Sequence, residues 1–159
     1  MRQSNSLPSV VLALLLTASA GFPGLFPSQM PQAIQLMSMT ELKAGTGGHY
    51  FVKAYINNTS INVLVDSGAT FVALSFEDAE NASLHPRNLD FNIPVATANG
   101  QVNAARVKLD RVEIDNIRVD DVAAVVLPEG ALKGTLLGMS FLSKLSSWKS
   151  EDGVLTLKN

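Results

Sequence analysis

The sequence predicts an all-β domain with one or two short helices. Three observations predict it. β-branched and aromatic residues cluster in short runs, such as "HYFVKAYI" and "INVLV", as in half-buried strands. Turn residues separate these runs at short intervals: 57–60, Asn99-Gly100, Asp115-Asn116 and 151–153. No internal repeat is visible, and only two stretches, beginning at Ser75 and after Gly138, read as helical.

The elements follow in order. Residues 49–56 and 61–65 form two strands joined by the turn "NNTS". Residues 71–75 form a further short strand. Ser75, with Asp78 three residues on, resembles a capping box with the shorter acid, so a helix of about two turns starts there. Asn99-Gly100 is a strong hairpin signal with arms 93–98 and 101–109, since a type I′ turn needs positive φ at both central residues. "RVEIDNIRVDDVAAVVL" pairs two more strands, and "LLGMSFLSKL" is an apolar stretch that turns helical after its glycine. "WKSEDGVLTL" closes the chain with a hairpin. Trp148 is expected in the core or at a dimer edge.

The first part of the chain is different. No charged residue occurs between Arg2 and Glu41, and "LPSVVLALLLTASAGFPGLF" is almost wholly apolar. That is close to the roughly 20 residues that cross a bilayer as a helix. Arg2, the apolar run and Ala18-Ser19-Ala20 also fit a cleavable export signal. The expected organisation is a signal peptide or membrane anchor over 1–26, a Pro- and Gly-containing linker over 27–47, and one folded domain over 48–159. An exported or inner-membrane-anchored protein follows, with cleavage and retention both open.

Of the 159 residues 47% are hydrophobic, mean hydropathy is +0.20, and the net charge is −2. Basic residues are interspersed with acids, as from Lys108 to Arg118, which is the pattern of a solvated surface and not of a nucleic-acid face. The absence of cysteine excludes disulfides and thiolate chemistry. His49 and His85 are isolated and suggest no metal site. Ser67 lacks the G-x-S-x-G elbow of a serine nucleophile.

The chemistry is concentrated in "INVLVDSGATFVAL". Asp66 ends an apolar strand. Gly68 and Ala69 leave room for close backbone approach, and Ser67 and Thr70 supply hydroxyls. Read by itself, Asp66 is either a reacting carboxylate or the polar start of a turn. A single ionised carboxylate is a base without an acid. Two in contact share one proton and supply both functions.

"VLVDSGAT" resembles the hydrophobic-hydrophobic-Asp-Ser/Thr-Gly-Ala-Thr/Ser signature of aspartic proteases, and "TLLGMSFL" resembles the late Leu-Leu-Gly element of a retropepsin lobe. "TANGQ" stands between them, where that family places its flap. The chain thus resembles a bacterial retropepsin-like protease of the single-lobe type over roughly residues 50–158. The resemblance implies a closed β-barrel lobe, catalytic Asp66, and supporting loop residues Ser67, Gly68, Ala69 and Thr70. It implies a substrate-covering flap at Ala98, Asn99 and Gly100, and packing beneath the site by Leu136, Leu137 and Gly138. One signature per chain implies a homodimer with Asp66 of each copy at the two-fold axis, a peptide or protein substrate, and no cofactor, metal or nucleic-acid partner. Two other readings are an inactive module of the same fold that dimerises or binds peptides, and an anchored β-domain with a fortuitous motif.

Overall fold

In the computed structural model, which describes residues 38–97 and 100–159, the chain enters the fold at β1 (Met39–Lys43). This corrects the expected linker, which ran to residue 47. "MTELK" alternates: Thr40 and Leu42 are buried, while Met39, Glu41 and Lys43 face solvent. Two inward side chains suffice once β10 (Val154–Lys158) is alongside, with Leu42 opposite Leu155. The buried Thr40 donates its hydroxyl to Asp115 Oδ2 at 2.6 Å. The expected signal or anchor segment lies outside the described residues. Among the described residues, no helix is long and apolar enough to cross a membrane.

The next strands are β2 (Tyr50–Ile56), β3 (Thr59–Val65) and β4 (Val72–Leu74). Helix α1 (Phe76–Asn81) follows, then β5 (Ile93–Thr97), β6 (Gly100–Ile114), β7 (Ile117–Val126) and β8 (Thr135–Leu137). Helix α2 (Met139–Leu142) and β9 (Ser147–Glu151) precede β10. Three hairpins turn on two residues each. Asn57 and Asn58 take φ of 47° and 71°, Asp115 takes 50°, and Asp152 and Gly153 take 49° and 74°. Asn, Asp and Gly are the residues that tolerate this left-handed backbone.

The large sheet has the order β2-β3-β8-β4-β7-β6-β5. An additional pairing of β2 with β6, Tyr55 opposite Glu113 and Ile56 opposite Val112, joins its two sides. The six strands from β2 round to β6 therefore close into a barrel, and β5 hangs from β6 outside the ring. Closure removes the exposed edges of an open sheet. A small sheet, β1-β10-β9, is separate from this ladder. Trp148 lies on its edge strand β9 and is exposed, so it is not a core residue.

The core has two parts. The barrel interior holds Ile56, Val63, Val72, Leu74, Leu109, Ile114, Ala124, Val126, Leu137 and Phe141. A second cluster groups Ala73, Ala104, Val125 and Leu127, with Phe71, Val95, Leu132 and Leu136 against it. β4 and β7 serve both, because successive side chains leave a strand on opposite faces. Val72 and Leu74 point into the barrel and Ala73 away from it; Ala124 and Val126 point in and Val125 away.

Helix α1 is capped by Ser75, whose buried Oγ accepts from Asp78 N at 3.1 Å. The reciprocal half of a capping box is missing, because the Asp78 carboxylate instead accepts from Thr135 Oγ1 at 2.7 Å. The helix thus ties to β8, beneath the site described next. Ser75→Ala is expected to cost about 1–2 kcal/mol, read as a lower urea midpoint at unchanged slope.

Candidate active site

β3 and β8 run parallel, with Val63, Leu64 and Val65 opposite Thr135, Leu136 and Leu137. The next residues on the two strands are Asp66 and Gly138. The acid and the glycine thus emerge side by side at the strand ends. Asp66 N donates to the Leu137 carbonyl at 3.1 Å, continuing the ladder by one bond.

Beyond Asp66 the chain turns tightly. Gly68 N donates to Asp66 Oδ1 at 2.8 Å, and Ala69 N donates to the Asp66 carbonyl at 3.2 Å. The side chain thereby holds its own loop, as Asp does in turns. The turn and the reactive reading are therefore compatible: one oxygen organises the loop, and among the described residues Oδ2 has no hydrogen-bond partner. Asp66 is half-buried, while Ser67, Gly68 and Thr70 are exposed.

The loop is clamped from the other side by α2. Met139 N donates to the Ala69 carbonyl at 2.8 Å, and Ser140 N to the Thr70 carbonyl at 3.0 Å. The Ser140 hydroxyl accepts from Val72 N at 2.8 Å. The first N–H groups of a helix have no partner within it; here the loop carbonyls take them. Gly138 makes the approach possible, since a Cβ there would sit 2.2 Å from the Phe71 carbonyl oxygen and 2.6 Å from that of Ala69.

Above the loop lies a cleft of about 600 Å³, floored by the second apolar cluster and walled on one side by β5. Asp66, Gly68, Ala69 and Thr70 line it; Ser67 does not. Asp66 is the only carboxylate among the described lining residues. Leu136 is part of the cleft wall, while Leu137 and Gly138 are buried beneath the loop. Ala98 and Asn99 lie outside the described residues. The register sets Thr97 opposite Gly100, so Gly100, with φ of 110°, is the first paired residue of β6. This corrects the expected Asn99-Gly100 turn: the two residues between the arms are 98 and 99.

Sequence reasoning missed most of the apolar cleft, namely Phe71, Ile93, Val95, Val125, Leu127 and Leu132. The signal present was that "FVAL" and "VAAVVL" are apolar at consecutive positions, which marks strands covered on both faces. Among the described residues, no group of His, Asp and Glu gathers in a way that could hold a metal ion.

Residues 52–144 match the family model described as "gag-polyprotein putative aspartyl protease". The chain belongs to this aspartyl protease family. The match runs from β2 through α2 and includes the Asp66 loop, the β5–β6 hairpin and Gly138. The crystal structure of a retropepsin-like aspartic protease from Rickettsia conorii is similar at a TM-score of 0.70 and 29% identity, covering 77% of this chain and 91% of that one. An uncharacterized protein in the cobV 5′ region of Sinorhizobium sp. is 41% identical over 112 residues, which is 70% of this chain and 48% of that protein. Uncharacterized protein RP867 of Rickettsia prowazekii is 34% identical over 110 residues, 69% of this chain and 47% of that protein. The chain spans about half the length of these curated relatives. The expected retropepsin-like, mostly β architecture is the one observed.

Proposed function

We propose that this aspartyl protease family member is an active endopeptidase, working as a homodimer with one Asp66 from each copy. The observation that carries the reading is the half-buried Asp66 lining the cleft, with one carboxylate oxygen held by Gly68 N–H and, among the described lining residues, no second acid. A two-fold axis near Asp66 supplies the missing partner from an identical chain. Two adjacent carboxylates then share one proton, a behaviour taken here from aspartic proteases generally.

The chemistry follows from that shared proton. The ionised Asp66 takes a proton from water as the water oxygen bonds to the scissile carbonyl carbon. The neutral Asp66 of the other copy gives its proton to the carbonyl oxygen. The gem-diol then collapses: the Asp66 that took the water proton gives it to the amide nitrogen, the C–N bond breaks, and the other, now ionised, Asp66 takes a hydroxyl proton as the carboxyl C=O forms, which restores the shared-proton pair. Water is the nucleophile, so no cofactor is required. The exposed Ser67 of each copy would brace the axis by hydrogen bonds. The β5 wall offers backbone to an extended peptide by strand addition. The apolar N-terminal segment would export the protein or hold it at the inner membrane.

The test measures hydrolysis of a peptide library and molecular mass over the same range of protein concentration. Activity per chain is expected to rise as dimer forms and to level off when dimer is complete. Constant activity per chain in a strictly monomeric protein would end the dyad reading.

A further inference from the structure

Resting on the proteolytic reading, we infer that Arg106 is a specificity-determining residue that binds a carboxylate of the substrate beside the apolar cleft. Arg106 stands opposite Val125 in the β6–β7 ladder. Paired residues of antiparallel strands leave the sheet on the same face, and Val125 lines the cleft. The Arg106 guanidinium carbon lies over the Phe71 ring, 5.3 Å from its centroid; Phe71 lines the cleft and Arg106 does not, so the guanidinium stands one side chain behind the lining.

The charge of Arg106 is uncommitted. Arg87 pairs with Glu80 at 2.9 Å, Arg118 with Asp120 at 3.0 Å, and Arg111 with Asp120 at 3.5 Å. Among the described residues, no carboxylate lies within ion-pair distance of Arg106, and its side chain is exposed. A guanidinium over an aromatic ring is attracted to the ring face and still carries N–H donors that can take a carboxylate. Among the described residues, the cleft lining is apolar apart from Asp66 and the hydroxyls of Thr70 and Thr97. The combination selects a peptide with apolar side chains in the cleft and a carboxylate next to the Phe71 side. That carboxylate comes from an acidic side chain or from a free chain end.

The experiment uses the full-length chain and two peptide sets that differ only in Glu or Gln at each position flanking the scissile bond. Each set is made with free and with amidated C-termini, and kcat/KM is measured. Wild type is expected to favour Glu at one position by roughly three- to tenfold, the range of an ion pair in a partly screened site, and the ratio should shrink as salt is raised. A preference for the free terminus instead would assign the same site to a chain end. Arg106→Gln should bring the ratio to about one, Arg106→Lys should keep most of it, and Arg106→Glu should turn it against Glu. Equal cleavage of all sets by wild type, or a preference that survives Arg106→Gln, overturns the inference and leaves the protease reading standing. Cleavage of no peptide by wild type sinks both.

Discussion

Asp66→Asn is expected to lose about a thousandfold or more of peptidase activity, because it removes both the base and the shared proton. The substitution is nearly isosteric, and the side-chain oxygen that accepts from Gly68 N is retained. The loop should therefore keep its shape, and an unchanged unfolding midpoint would show it. The sharper form of the experiment mixes wild type with Asp66→Asn in equal amounts and lets subunits exchange. If the two carboxylates act together, only wild-type pairs cleave, and these are about a quarter of all dimers under random pairing. Activity should fall to about a quarter of that of the same total chain as wild type. A fall to about half would mean that each chain works alone, and equal cleavage by both pure proteins would remove Asp66 from the chemistry altogether.

The reason for expecting cooperation between chains was already present in the sequence, which carries a single D-S-G signature. The structure adds why Asp66 is suited to half of a site. Its peptide N–H is tied to Leu137 and one side-chain oxygen to Gly68, so position is fixed from within the chain, and among the described residues the other oxygen has no hydrogen-bond partner. Turn chemistry was the most legible part of the sequence. Asn57-Asn58, Asp115-Asn116 and Asp152-Gly153 each need left-handed backbone, and few residue types supply it. The start of the folded chain was less legible. β1 presents only Thr40 and Leu42 to the interior, and it follows a long uncharged segment in which alternation cannot be distinguished from general apolarity. The cleft was legible least, because its wall is assembled from β4, β5, β7 and the residues before β8, which are far apart in sequence. Periodicity shows that Ala73 and Val125 are apolar. It does not show that they face a different cavity from Val72 and Ala124, since that depends on both faces of the strands being covered.

Gly138→Ala is expected to destabilise the domain by about 3–5 kcal/mol, a large share of the 5–15 kcal/mol typical of a folded domain. The backbone angles are not the cause, because Gly138 has φ of −92°, which any residue adopts. The cause is contact. The added Cβ would stand 2.2 Å from the Phe71 oxygen and 2.8 Å from the Phe71 carbonyl carbon, and these are backbone atoms that no rotamer change can move aside. Relief requires α2 to withdraw from the loop, which breaks the bonds from Met139 N to Ala69 and from Ser140 N to Thr70. Buried helix N–H groups without partners cost further free energy. Gly134→Ala is the matched comparison, since nothing lies within 4 Å of its Cβ position, and it should change stability little. Urea unfolding of the two variants measures the difference. Equal midpoints would show that the loop and α2 are not held against each other as described. The loss should also extend to activity in whatever fraction of Gly138→Ala stays folded. The carbonyls displaced by the methyl group belong to the loop that begins at Asp66, and a catalytic carboxylate misplaced by about 1 Å can cost a hundredfold in rate.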